Sequence, residues 1–256
     1  MIDERDVWAQ IGQVMDPELD RPLDALGFIE SVRIQDAEVV VHFRLPTYWC
    51  ASNFAFMMSS DLRERIGRVP GVETVTVRLL DHFAEDEITE GVNAGRTFSE
   101  VFAGETDGNL DELRRTFLRK AFLVRQEQLL RALLRLDYTA EQLARLMATD
   151  ARVEGDSLLV RVGGQAEWRQ LPGLARTFAL YRQKRGAAGL GMLETGPLFT
   201  TADGEPLTPE SVMEHLRIAR TIRLNGAFNT VLCTALNRIT HGVEVDSDAL
   251  CEETAG

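Results

Sequence analysis

A single cysteine at a predicted strand-to-helix junction is the first residue in this sequence whose position suggests chemistry. Cys50 follows an apolar run, 39–45, that predicts a strand, and it precedes an amphipathic segment that predicts a helix. A thiol at a helix N-terminus faces unpaired backbone N–H groups and the positive end of the helix dipole, which favour the thiolate. A thiolate binds metal or attacks an electrophile. The competing interpretation is that Cys50 is a small buried hydrophobic residue.

Two carboxylates and a hydroxyl complete the first candidate site. Asp16 and Glu18 flank Pro17 in a predicted loop, and Thr47 lies close before Cys50. If this loop and the junction meet at one edge of a sheet, the thiolate suits soft metals and the carboxylates suit harder ones. That donor set predicts a weak, exchangeable metal site. The alternative is that the two acids are solvated loop residues and that Thr47 is a helix cap.

A second, weaker metal candidate consists of Asp81 and His82, followed by the acidic run 85–87. Imidazole and carboxylate groups can bind iron or zinc. Runs of like charge are usually solvated, however, so the alternative is an exposed acidic arm.

The hydrophobic periodicity predicts an α+β protein with a small N-terminal α/β domain in the order helix, strand, strand, helix, strand. We expect these elements over 4–15, 28–35, 38–45, 51–68 and 72–79. An acidic, glycine-containing stretch over 85–108 predicts an extended arm or short turns. A long helix over 110–136, and a second helix that Thr139 and Gln142 would start with a capping box, predict a helical hairpin.

A mainly helical C-terminal unit follows. We predict a strand over 157–162, a helix over 174–184 and a short β-hairpin over 198–207. Thr208 and Pro209 should begin a helix that Asn225 and Gly226 interrupt, with another helix over 227–240. The composition shifts place domain boundaries that give 1–84, 85–150 and 151–256.

Composition limits the function classes. The chain of 256 residues has a formal net charge of −12, which argues against a nucleic-acid-binding surface. No run of about 18 apolar residues predicts a membrane span. The N-terminal sequence shows no export signal, and the three cysteines form no C-x-x-C pair or disulfide framework. We therefore predict a cytoplasmic, reduced protein that binds neither nucleic acid nor membrane.

The N-terminal third resembles the iron–sulfur cluster assembly domain family, which includes PaaD, SufT and the eukaryotic cytosolic cluster-targeting factor. The matching segments are 14–19, 26–29, 45–50 and 70–77. The resemblance implies that Asp16 and Glu18 are the acidic pair of the family and that Thr47 and Cys50 are its threonine-to-cysteine motif. Tyr48 and Trp49 are bulkier than the usual residues of that motif. Cys233 and Cys251 do not reproduce the zinc-like spacing of PaaD-like members.

The resemblance implies a maturation factor that handles iron or an iron–sulfur cluster as a transient species through Cys50. One cysteine cannot hold a cluster, which takes four protein ligands, so a homodimer or a partner would complete it. Longer similar proteins are associated with operons of bacterial binuclear-iron monooxygenases, which suggests such a hydroxylase as the client metalloenzyme. Two alternatives stay open. One is a metal-free assembly chaperone or docking adaptor in which Cys50 is structural, and the other is a thiol enzyme in which Cys50 is the nucleophile.

Overall fold

A computed structural model describes residues 2–104, 110–161, 167–191 and 193–243. These residues form two compact units. The first unit extends to Glu112 and also includes the chain from Gly226 onward, whereas the second unit runs from Leu113 to Asn225. The domain boundaries at 84 and 150 stay a prediction from composition.

The first unit contains a three-stranded sheet with helices packed against it. The strand order is β3-β4-β5, in which β4 is antiparallel to β3 and parallel to β5. The mixed α+β class and the order helix, strand, strand, helix, strand are confirmed, with one short hairpin added before the sheet. The elements are α1 (Glu4–Ile11), β1 (Met15–Asp16), β2 (Arg21–Pro22), β3 (Ile29–Gln35), β4 (Glu38–Arg44), α2 (Ser52–Ile66), β5 (Thr74–Leu80), α3 (Glu85–Asn93) and α4 (Phe98–Val101).

The first helix is shorter than its periodicity suggested. It ends at Ile11, where Gly12 caps it by donating its N–H to the Trp8 carbonyl at 2.9 Å. Met15 and Asp16, which we assigned to the end of the helix and the following loop, instead pair with β2. Apolar spacing identified Val7, Ile11 and Val14 as buried, whereas Trp8 is 38% exposed. A short hairpin satisfies the backbone beyond the helix.

The expectation of an extended acidic arm over 85–108 is wrong for its described part. The acidic run 85–87 forms the first turn of α3, where carboxylates interact favourably with the helix dipole. Ile88 and Val92 lie one turn apart and are buried in the core. Thr97 and Glu100 then form a capping box that starts α4.

The second unit has a helical part and a small antiparallel sheet of order β6-β7-β8. The long helix and the Thr139–Gln142 capping box are confirmed. Only the middle strand was predicted, because its flanking strands are short and polar. The elements are α5 (Leu110–Leu134), α6 (Ala140–Arg145), a 3₁₀ turn (Ala148–Asp150), β6 (Ala151–Glu154), β7 (Ser157–Val160), β8 (Arg169–Pro172), α7 (Ala175–Ala187) and α8 (Pro209–His241). The first residues of α5 and the part of α8 from Gly226 onward belong to the first unit.

Two C-terminal expectations need correction. The hairpin over 198–207 is reduced to an isolated bridge between Thr200 and Pro206. The helix that starts at Pro209 continues through Asn225 and Gly226 to His241 without interruption. A glycine inside a helix costs only about 1 kcal/mol relative to alanine, which the packing of a long helix offsets.

Helices long and apolar enough to cross a membrane are absent from the described ranges.

Candidate functional site

Cys50 lies at the junction between β4 and α2, as its sequence position predicted. It directly precedes Ala51, the N-cap of α2. Its N–H donates to the Thr47 carbonyl at 3.3 Å, which closes a tight turn. The same turn brings the Thr47 hydroxyl within 3.1 Å of the Cys50 sulfur. The thiol is free and half-buried, so it is held in place yet accessible.

The two predicted carboxylates have different environments. Asp16 is buried, and its Oδ1 accepts the backbone N–H groups of Glu18 at 2.9 Å and Leu19 at 2.8 Å. Burial raises the pKa of the Asp16 carboxyl to about 6, although those two hydrogen bonds act in the opposite direction. Glu18 is exposed. Asp16 therefore shapes the loop, whereas Glu18 presents its carboxylate at the surface.

One face of α8 covers this loop. Asn229 donates from Nδ2 to Glu18 Oε1 at 3.1 Å, and Asn237 donates from Nδ2 to the carbonyls of Leu26 at 3.1 Å and Gly27 at 3.2 Å. His241 donates from Nε2 to the Leu45 carbonyl at 3.1 Å. Residues four apart share a helix face, so Asn229, Asn237 and His241 form one row.

Cys233 occupies the remaining position of this row, between Asn229 and Asn237. It packs against the same hydrophobic core as Cys50 and is also a half-buried free thiol. Burial raises the pKa of Cys233 to about 12, and Asp16, Cys50 and Glu18 contribute to the same shift.

Sequence reasoning assigned no role to this face of α8. A signal was present, since Asn229, Cys233, Asn237 and His241 recur at intervals of four on a helix. The expected break at Asn225 and Gly226 left this segment as a separate helix with no known neighbour. Cys251, the other cysteine without a role, lies outside the described residues.

The side chains of the second metal candidate, Asp81 and His82, interact with other residues of the fold. The Nδ1 atom of His82 accepts the Ala84 N–H at 3.1 Å, so its Nε2 carries the proton and donates to the Cys50 carbonyl at 2.7 Å. Burial lowers the pKa of this imidazole. The Asp81 carboxylate forms an ion pair with Arg44 at 2.8 Å. His82 therefore fixes the backbone of Cys50 and, as arranged, offers no free lone pair to a metal.

An aromatic rim surrounds the Cys50 turn and accounts for the unusual residues in the motif. Tyr48, Trp49 and Phe83 are exposed by 57%, 75% and 52%, and we call these three residues the aromatic rim. Phe83 donates its N–H to the Tyr48 carbonyl at 3.0 Å, and their ring centroids lie 6.4 Å apart. The bulky side chains at 48 and 49 therefore point to solvent and do not disturb the core.

No three histidine, cysteine, aspartate or glutamate side chains within the described ranges are grouped closely enough to hold a metal ion. A metal bound at Cys50 would therefore need ligands beyond those already in place.

The N-terminal elements define a small α+β domain that has a thiol at a strand-to-helix junction and two carboxylates in a loop. Residues 4–77 match the sequence model of the family described as iron–sulfur cluster assembly protein. The resemblance stated from the sequence is thereby confirmed for this segment, and it supports a general role in iron–sulfur cluster assembly. The match contains Asp16, Glu18, Thr47 and Cys50 but not α8. No curated protein matches the chain.

Proposed function

We propose that this protein binds iron or an iron–sulfur species as cargo at Cys50 and delivers it to a client metalloenzyme. The observation that carries the proposal is the half-buried Cys50 thiol, with the Thr47 hydroxyl 3.1 Å from its sulfur, inside a segment that matches an iron–sulfur cluster assembly family. We further propose a binuclear-iron monooxygenase hydroxylase as the client.

The chemistry of loading follows from this donor set. The Cys50 thiol gives its proton to solvent as its sulfur forms a bond to iron. The Thr47 hydroxyl then donates a hydrogen bond to the thiolate, which stabilises the negative charge on sulfur. Because few ligands are in place, ligands of the client can exchange for those of the carrier, and the cargo leaves as Cys50 recovers a proton.

The carboxylates support this step in different ways. Glu18 is exposed and hydrogen-bonded at 3.1 Å to Asn229, so its carboxylate can attract a cation near the loop. Asp16 uses its carboxylate to hold the turn that positions Glu18. We therefore assign Glu18 to metal attraction and Asp16 to positioning.

Anaerobic reconstitution with iron and sulfide tests the proposal. We expect the wild-type protein to retain iron after desalting, whereas Cys50→Ala retains none above background. Cys251→Ala is the matched control, since it also removes one thiol, and it should load like wild type. Equal iron content in Cys50→Ala and wild type would refute the role of Cys50.

A metal-free docking adaptor is the second candidate, and the aromatic rim favours it. Exposed tyrosine and tryptophan side chains are enriched at protein interfaces. If neither wild type nor Cys50→Ala binds iron, but both capture and activate the client hydroxylase, the adaptor replaces the carrier. In that case Trp49→Ala should weaken capture, whereas Cys50→Ala should not.

A further inference from the structure

We propose that Cys233 is the second thiol of the Cys50 site, so that the two sulfurs together bind one soft metal ion. This inference deepens the proposed function and rests on it for the identity of the cargo. The family match ends at residue 77, so it assigns nothing to Cys233.

The hydrogen bonds of α8 determine where Cys233 lies. Asn229 precedes it by one turn and bonds to Glu18, and Asn237 follows it by one turn and bonds to the carbonyls of Leu26 and Gly27. A helix rises about 6 Å over four residues, so Cys233 lies over the loop between these two anchors.

A third anchor connects the same face to the Cys50 turn. His241 bonds to the Leu45 carbonyl at the end of the strand that leads into Cys50. The helix therefore extends from the acidic loop to Leu45, two residues before Thr47, and Cys233 lies between these two contacts. Both thiols are half-buried and both pack against the core of the first unit.

The pKa of Cys233 agrees with the position that these hydrogen bonds define. Burial raises the pKa of this thiol, and Asp16, Cys50 and Glu18 raise it further.

Two thiols define the class of metal. Each sulfur loses one proton to solvent and forms one bond to the metal, so a divalent ion yields a neutral dithiolate and two released protons. Soft thiolate donors favour ions such as Cd²⁺, Zn²⁺ and Cu⁺ over Mg²⁺ and Ca²⁺. A metal ion bound by two thiolates keeps its remaining coordination positions free for the ligands of a client.

Cadmium titration in a Cys251→Ala background tests the proposal, because only Cys50 and Cys233 then remain as thiols. We expect one ion per chain, with charge-transfer absorbance that corresponds to two thiolates. Cys50→Ala and Cys233→Ala in this background should each halve the absorbance per ion and weaken binding about a hundredfold. Thr234→Ala is the matched control on α8, because the Thr234 hydroxyl donates to the carbonyls of Thr230 and Val231 in its own helix, and it should bind like the background.

A second measurement needs no further substitution and does not depend on metal loading. Phenylarsine oxide reacts with two neighbouring thiols to form two As–S bonds and releases one water. We expect one arsenical per chain and the simultaneous loss of both free thiols in the Cys251→Ala protein. Cadmium bound by one thiolate, together with no arsenical bridge, would overturn the proposal.

These outcomes separate the inference from the proposed function. A bridged thiol pair in a protein that retains no iron would support the pair and refute the iron carrier. Iron that loads on Cys50 equally well in Cys233→Ala, with no bridge, would support the carrier and refute the pair.

Discussion

Two polar clusters in this protein contrast sharply, the thiol site of the first unit and a buried network of the second. In the network, Gln126 is fully buried and uses both ends of its amide. Its Nε2 donates to the Thr200 carbonyl and to His215 Nε2, both at 2.7 Å, while its Oε1 accepts from the Thr200 N–H at 3.1 Å. Tyr181 donates to the same Oε1 and to the Leu198 carbonyl.

The two clusters differ in how many of their reactive or polar groups already interact with other residues of the fold. The network around Gln126 pairs its polar groups with one another, which is typical of a cluster that specifies a fold. The thiol site has two free cysteines at half-buried positions and a rim of exposed aromatic side chains. The thiols and the aromatic side chains that the fold does not use are available to bind cargo or a partner.

The substitution Gln126→Leu tests this comparison with the largest expected effect. It leaves the Thr200 N–H and carbonyl buried without their side-chain partner, so we expect a loss of about 3 kcal/mol in the free energy of unfolding. Urea denaturation measures this loss. Cadmium binding at the thiol site should not change under native conditions.

Gln170→Leu is the control for this prediction. Gln170 belongs to the same unit but is exposed, and its side chain donates to the Ser157 hydroxyl at 2.8 Å. We expect at most about 1 kcal/mol of destabilisation. Equal losses in the free energy of unfolding in the two variants would contradict the idea that burial makes the network around Gln126 more costly to disrupt.

A pair of substitutions on one face of α8 makes the next largest contrast. Asn237 is buried and serves two carbonyls, so Asn237→Ala should destabilise the protein by about 2 kcal/mol. Asn229 makes an exposed contact with Glu18, so Asn229→Ala should cost less than about 0.5 kcal/mol. Thermal and urea unfolding compare the two. A larger loss in Asn229→Ala would contradict the arrangement of α8 described above.

The sequence was sufficient to predict the sheet of the first unit because its signals are local. The valine-rich strand 39–45 alternates cleanly, and the turn at Asp36 lies between two apolar runs. Asp36 adopts a positive φ of 52°, which aspartate tolerates better than most residues. The Cys50 junction followed from the same local pattern.

The α8 part of the site could not be predicted in this way. Cys233 joins Asp16 and Cys50 only through contacts between residues about 200 positions apart, such as Asn237 with Leu26. Local periodicity places a residue on a helix face but does not identify what that face covers. The acidic helix α3 was missed for a related reason, because charge composition outweighed the spacing of Ile88 and Val92.

The pH dependence of stability provides a smaller test of the buried network. Burial lowers the pKa of His215, which favours the neutral imidazole in the folded state. Its Nε2 then accepts a hydrogen bond from Nε2 of Gln126. The unfolded chain binds a proton below about pH 6.5, so the contribution of His215 is complete above that pH and is lost as the pH falls further. This contribution of His215 should therefore fall between neutral and acidic pH. Asp16, whose pKa burial raises to about 6, has the opposite effect and is common to the two proteins compared next.

His215→Gln isolates this effect, since its Oε1 can accept the same hydrogen bond without titrating. The free energy of unfolding should decline less in this variant than in wild type as the pH falls below about 6.5. His82, whose pKa burial also lowers, remains in both proteins and cancels from the difference. Parallel pH profiles for the two proteins would show that His215 is not held neutral by the fold.

The smallest expected effect concerns the aromatic rim and completes the comparison of the two clusters. Trp49 is 75% exposed, so Trp49→Ala should change the free energy of unfolding by less than about 0.5 kcal/mol. Phe56→Ala, at a position that is 4% exposed in the same unit, should cost about 3 kcal/mol as the buried counterpart. A tryptophan that costs nothing to remove does not stabilise the fold, which leaves its exposed ring available to a partner. If Trp49→Ala is as destabilising as Phe56→Ala, the rim belongs to the core and the argument for a docking surface fails.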